Sequence, residues 1–182
     1  MLDYVRQPNA VTCQAAACGK ATNNSNVPRV RAALDAIATR KGTSAGDPAV
    51  MAEYLSEASK QGKIGKYFYD GSATLNDCIR YLAGGATVIT HGWLTEEGHV
   101  ITLNSHSTAR IGYFVVDDSW GEFDFYNGLF CSEDGNDVQY SDMGIYAYCV
   151  KSQSFEQAVK IYSEEAIDRD LPGMWCHVIH EF

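Results

Sequence analysis

The hydrophobic period of this chain changes once, at Gly84-Gly85, and that single change limits the possible folds more than any other feature. Before it, apolar residues recur about every 3.6 positions; after it, they alternate. The first half therefore predicts helices. One starts near Thr12 or Cys13 and runs through Ala21, with Thr12 as its N-cap. A second has Pro28 in its first turn and runs to about Arg40, with Val30, Ala33, Leu34 and Ile37 on one face. Asp47-Pro48 opens a third, carrying Val50, Met51, Tyr54, Leu55 and Ala58, and a fourth spans Leu75 to Ala83. The second half predicts strands at Ala86–His91, His99–Leu103, Ile111–Val116 and Gly144–Val150, then a helix over Ser154–Ala166 and a last strand over Met174–Ile179. Helices first and strands second read as α+β, an N-terminal helical half packed on an antiparallel sheet, not as alternating parallel units. No repeat or linker interrupts the chain, so residues 1–182 are expected to form one domain, with 151–182 as its C-terminal helix and strand extension.

With 182 residues and 46% hydrophobic residues, the chain can bury a substantial core without disulfides. Its net charge of −9 argues against holding nucleic acid or anionic lipid, so neither a nucleic-acid nor a membrane partner is expected. No apolar run reaches the roughly 18 residues of a membrane span. Met1 to Arg6 lacks a signal-peptide profile, which predicts a chain cytoplasmic as synthesised, with delivery outside the cell requiring a non-classical route. Oligomeric state is not legible.

Six cysteines, at positions 13, 18, 78, 131, 149 and 176, include no Cys-x-x-Cys pair, and in such a chain free thiols are expected. Cys13 differs from the rest because it falls at a helix start, where unpaired N–H groups and the helix dipole favour a thiolate. Cys18 lies about a turn and a half further in, beyond that effect. A thiolate nucleophile needs an imidazole beside it, and the imidazole needs an orienting group. His99, preceded by Gly98 and opening an apolar strand, is the first candidate; His91, ending the preceding strand, is its rival. The strand Phe114 to Val116 ends in Asp117-Asp118, either of which is placed to orient a histidine on a neighbouring strand. Gln7, six residues before Cys13, offers an amide donor for an oxyanion.

Gln7, Cys13, His99 and Asp118-Ser119-Trp120-Gly121 together resemble the papain-like cysteine peptidases, and most closely their compact C39-like branch. The resemblance covers residues 1 to about 150. The spacing from Cys13 to His99 and Asp118 is shorter than the roughly 130–150 residues of papain itself, which favours the compact branch. Two departures stand out: Cys13-Gln14-Ala15 replaces the usual Cys-Gly-Pro, and Ser119 follows the aspartate where the branch usually has proline. The resemblance implies a papain-like fold and a cysteine peptidase or amidase that cuts a peptide, isopeptide or peptidoglycan stem peptide through a thioester. In that reading Cys13 is the nucleophile, His99 the acid and base, Asp118 the orienting group with Asp117 as backup, and Gln7 the oxyanion donor. Trp120 covers the His99–Asp118 contact, and Gly98, Trp93 and Trp120 meet substrate. No cofactor is implied. The alternatives are an acyltransferase that passes the thioester to an amine, as transglutaminases do, and a catalytically silent binding module of the same fold.

Other groupings carry less. Cys176, His177 and His180 lack zinc-loop spacing, and the acidic turn Glu133 to Asp137 lacks the alternation of a calcium loop, so no metal is expected. Trp93, Tyr67, Tyr69, Phe123, Phe125 and Tyr126 are candidates to line a substrate groove, about half of them destined for the core.

Overall fold

Local capping chemistry starts the second and third helices in the computed structural model, which describes residues 1–181. Helices α1 (Cys13–Ala21), α2 (Val27–Lys41) and α3 (Pro48–Lys60) follow one another closely. Asn26 caps α2 by accepting the Arg29 N–H, with Pro28 in the first turn, and Gly42, at φ 68°, ends it in the left-handed conformation that glycine adopts without strain. Asp47 caps α3 ahead of Pro48. None of the helices among the described residues is long and apolar enough to cross a membrane.

The sheet is antiparallel throughout. Its strands are β1 (Tyr67–Ala73), β2 (Ala86–Gly92), β3 (His99–His106), β4 (Tyr113–Asp117), β7 (Val138–Ser141) and β8 (Met174–His180), in the order β1-β8-β2-β3-β4-β7. β5 (Glu122–Asp124) and β6 (Leu129–Ser132) form a separate hairpin. The α+β class and the antiparallel sheet are as expected. The layering is not that of one helical half on one face. Helices α1 to α3 pack with Ile89, Val100 and Ile179. Helix α4 (Leu75–Ala83), capped by a reciprocal Thr74/Asp77 box, packs instead with Val88, Leu103, Val116 and Val178. The chain changes face because β1, which the sequence reading missed, lies between α3 and α4. Its residues Tyr67-Phe68-Tyr69-Asp70-Gly71-Ser72-Ala73 occupy an edge and do not alternate between buried and exposed.

A second correction concerns Gly144–Val150. The predicted strand is helical: α5 (Asp142–Ile145) runs into a π-helical turn over Tyr146–Lys151, with α6 (Phe155–Glu164) beyond it. Tyr146 through Val150 are all buried, so the segment has no polar side to set a period, and a buried helix and a buried strand read alike. The Ser141 hydroxyl accepts the Gly144 N–H at 3.0 Å and starts the helix. Gly144 is required there, because a Cβ would stand 2.6 Å from the Phe125 ring. The predicted strand at Ile111 begins later, at Tyr113, after the left-handed Gly112 at φ 80°.

Residues 151–181 are no peripheral addition. β8 is inserted between β1 and β2, pairing Val178 with both Phe68 and Val88, so the last strand is an inner strand of the sheet. Cys176 and His177 consequently point to opposite faces: Cys176 packs in the core with Cys78, while His177 faces α1–α3, where its Nδ1 lies 2.9 Å from the Tyr67 hydroxyl. The side chains of Cys176, His177 and His180 do not converge, His180 stacking on Phe68 instead.

Candidate active site

The start of α1 lacks the cap its sequence promises. Thr12 occupies the N-cap position, but its hydroxyl donates to the Asn9 carbonyl at 2.9 Å, so it does not cover the first-turn N–H groups. Cys13 is the first residue of that open turn. Burial pushes its thiol up, but the hydrogen bond and charge of His99, with backbone N–H groups of Val100 and Gln14, outweigh burial and bring it below the ordinary thiol value. Cys18, one turn and a half deeper, is buried, and burial pushes its thiol up.

His99 opens β3, and Gly98 before it turns the chain at φ 84°. Its Nε2 lies 2.7 Å from Asp118 Oδ1, which leaves Nδ1 for Cys13. Burial disfavours the imidazolium; the charge and hydrogen bond of Asp118, together with Cys13, reverse that and push His99 up to about 10. A thiol lowered beside a histidine raised is the direction in which a thiolate–imidazolium pair shifts its two members.

Asp118 is fully buried, and each carboxylate oxygen is held. Oδ1 also accepts the Trp120 N–H at 3.1 Å, and Oδ2 accepts the Tyr140 hydroxyl at 2.9 Å. Tyr140 is itself fixed by the Phe123 N–H, which donates to its oxygen at 2.8 Å. The Asp118 N–H donates to the Gly135 carbonyl at 2.9 Å, and a Cβ on Gly135 would stand 1.9 Å from the Asp118 carbonyl oxygen. Only glycine allows so close an approach at that turn.

Asp117 faces the opposite way, as the two-residue period of β4 requires. Its Oδ2 pairs with the buried Lys20 ammonium, and its Oδ1 accepts the Asp137 N–H at 2.8 Å. Lys20 also donates to Asn104 Oδ1 at 2.9 Å. Asp118, and not Asp117, therefore meets His99. His91 is likewise occupied elsewhere, its Nε2 3.1 Å from His177 Nε2.

Gln7 is buried beside the same turn. Its Nε2 donates to the Asn9 carbonyl at 2.8 Å, which fixes which end of the amide is nitrogen, and its Oε1 accepts the Ser119 hydroxyl at 2.6 Å. One Nε2 hydrogen has no partner among the described residues, but Gln7 does not line the cleft that holds Cys13.

Cys13, His99 and Gly98 line a cleft of about 650 Å³, with Trp93 on its wall. Trp93 is anchored by its N–H donating to the Tyr148 carbonyl at 2.8 Å, at the π-helical turn. Trp120 does not line this cleft and is exposed. The ring packed on His99 is Phe130, edge-on at 5.6 Å between centroids, while Trp120 meets Asp118 through its backbone N–H. Of the other aromatic candidates, Phe123 and Phe125 are core, Tyr126 is exposed away from the cleft, and Tyr67 and Tyr69 contact His177. Tyr140, Phe130 and Lys20 were not legible as site residues, because none belongs to a local motif and each reaches the site only through strand or helix packing.

The histidine pair makes folding acid-sensitive. Burial lowers His91 to about 4 despite the Asp47 carboxylate, and burial also lowers His177 well below its usual value. Both rings are neutral in the fold, whereas in the unfolded chain they titrate near ~6.5. The unfolded state thus binds more protons below that pH, so stability is intact above ~6.5 and falls toward pH 4, by about 1.4 kcal/mol per pH unit for each proton taken up. Urea titrations between neutrality and pH 4 should show this slope, and His177→Asn should flatten it; an unchanged slope in the variant would assign the acid sensitivity to carboxylates.

No protein-family model, curated protein or solved structure matches this chain.

Proposed function

We propose that the protein is a cysteine hydrolase of papain-like type, cleaving a peptide or amide bond through Cys13, His99 and Asp118. The observation that carries this reading is a buried Asp118 holding His99 at 2.7 Å in the cleft that Cys13 lines, with Cys13 at an uncapped helix start and its thiol drawn below the ordinary value by His99. Each member has the neighbour its role needs.

The Cys13 thiolate attacks the substrate carbonyl carbon, forming a C–S bond and an oxyanion. The Cys13 N–H in the open first turn is the donor for that charge, and Gln7 acts from behind it by holding the Asn9 and Ser119 turns on either side of the site. Imidazolium His99 gives its proton to the leaving nitrogen as the C–N bond breaks, which yields a thioester and a free amine. Neutral His99 then takes a proton from water, whose oxygen attacks the thioester; the acid leaves and the thiolate–imidazolium pair is restored. Asp118, clamped by Tyr140 and the Trp120 N–H, holds His99 in the tautomer that both steps need.

A peptide or a peptidoglycan stem peptide is the proposed substrate. Incubation with purified peptidoglycan and with a mixed peptide library, read by mass spectrometry, tests this. New termini that appear with the native protein and not with Cys13→Ala support hydrolysis. Products joined to an added amine would make the protein an acyltransferase, and no Cys13-dependent product from any substrate would leave a binding role.

A further inference from the structure

The cleft that holds Cys13 extends across the sheet to a second group of side chains that the proposed chemistry does not use. Trp175 of β8 packs against His91 of β2, one residue beyond the Thr90–Cys176 pair, and His91 is opposite Val100 of β3. Cys13 lines the cleft together with His99 and Val100 of β3. Trp175 is therefore two strands away from the thiol's position, about 10 Å at the usual strand spacing. An extended peptide covers that distance in about three residues.

The chemistry of this end is specific. Trp175 is 43% exposed, unusual for so large an apolar side chain, and packs edge-on against His91 at 5.8 Å. Asp47 lines the same cleft, and its charge acts on both His91 and Tyr69. Its oxygens accept the Ala49 N–H at 2.8 Å and the Thr43 hydroxyl at 2.7 Å, neutral donors that leave the negative charge unbalanced. Among the described residues it has no ion-pair partner, and the cation that acts on it, Lys41, is paired with Glu53 at 3.3 Å. Glu97 adds a second carboxylate to the cleft without an ion pair of its own. The cleft's one arginine, Arg31, is already held by Asp35 and by the Val11 carbonyl. The neighbouring histidine pair is neutral, so it offsets none of this charge.

We propose that the Asp47–Trp175 end of the cleft receives a positively charged side chain of a peptide substrate, lysine or arginine, two or three residues from the bond that Cys13 attacks. A carboxylate and an exposed indole lining one cleft offer an ammonium or guanidinium both a countercharge and a π-face. The same pair repels an acidic side chain and leaves Asp47 without a counterion when the side chain is neutral. The position of the bond rests on the hydrolase reading; the preference for a cation does not.

The test uses full-length Cys13→Ala protein, which binds without turnover, and follows tryptophan fluorescence. Blocked tetrapeptides of alanine and glycine are titrated, with lysine, norleucine or glutamate placed at each position in turn. The expected result is that a lysine peptide binds about tenfold more tightly than its norleucine counterpart, with glutamate weakest, and that added salt shrinks the difference. Asp47→Asn retains an N-cap acceptor for α3 and should bring the lysine/norleucine ratio close to one, as should Trp175→Leu in part. Equal binding of all three series, a preference for glutamate, or a lysine preference that survives Asp47→Asn would overturn the proposal. Failure of the hydrolase reading would show separately, as native protein in which Cys13 is no more reactive to iodoacetamide than a denatured thiol.

Discussion

Iodoacetamide is expected to modify Cys13 before the other five cysteines, with a pH midpoint below that of an unfolded thiol, and His99→Ala is expected to abolish this advantage. Alkylation rate follows the thiolate fraction, and an ordinary thiol at about 8.5 is only about 1% ionised two pH units lower. With His99 beside it, Cys13 is lowered, so its reactivity should extend to lower pH than that of an unfolded thiol as long as the pair is intact. Removing the imidazole leaves burial as the dominant influence, and burial pushes the thiol up. Near pH 6.5 the rate should then drop about a hundredfold or more, and any turnover by about 10²–10⁴. Tyr140→Phe separates positioning from packing: it keeps the ring and removes only the hydroxyl that donates to Asp118 Oδ2. Its loss should shift the pH profile of Cys13, whereas a purely structural tyrosine would change thermal stability and leave that profile in place. If His91→Ala, and not His99→Ala, slowed the reaction, the base would be His91 and the mechanism above would be wrong. Cys131, the exposed thiol, supplies the internal reference in every sample.

How much of this was legible in the sequence follows from which interactions are local. The helix starts at Asn26, Asp47 and Thr74 are set by side chains reaching the next turn, and a linear reading finds such caps. Cys13, His99 and Asp118 were legible because each stands at an element boundary whose chemistry is visible locally. Parity along β4 does separate Asp117 from Asp118, but only once the register with β3, Thr102 opposite Asp117, is known, and no residue near either aspartate reports that register. The failures share one cause. β1 is an edge strand without alternation, Gly144–Val150 is buried on every side, and Phe130 reaches His99 from a separate hairpin. In each case the deciding partner is tens of residues away, so periodicity carries no trace of it. Thr12 shows the same limit at short range: its residue type suits a cap, but the Asn9 carbonyl competes for the hydroxyl and leaves the helix start open to Cys13.

Lys20→Met should be among the most destabilising single changes in the protein. Lys20 and Asp117 are both nearly inaccessible, with side chains 7% and 4% exposed. Removing the ammonium strands a carboxylate whose remaining partner is the Asp137 N–H, and breaking a buried pair from one side costs about 3–5 kcal/mol. That is a large share of the roughly 5–15 kcal/mol available to a domain. The pair also joins two parts of the site. Lys20 lies seven residues along α1 from Cys13, about 10 Å at the helical rise, and Asp117 is the residue before Asp118. One ion pair thus ties the helix carrying the thiol to the strand carrying the orienting carboxylate, while Asn104 of β3 binds the same ammonium and brings in the strand of His99. Urea unfolding followed by tyrosine and tryptophan fluorescence measures the cost, and the Lys20→Met/Asp117→Leu double variant tests its origin. If the loss comes from an uncompensated buried charge, the double variant recovers most of it, because two apolar groups of similar volume replace both ions. If Lys20→Met costs less than about 1 kcal/mol, the pair behaves as a solvated surface contact and α1 is not held to β4 by charge. Recovered stability in the double variant without recovered Cys13 reactivity would show that the pair sets the position of the thiol relative to His99, beyond its contribution to folding.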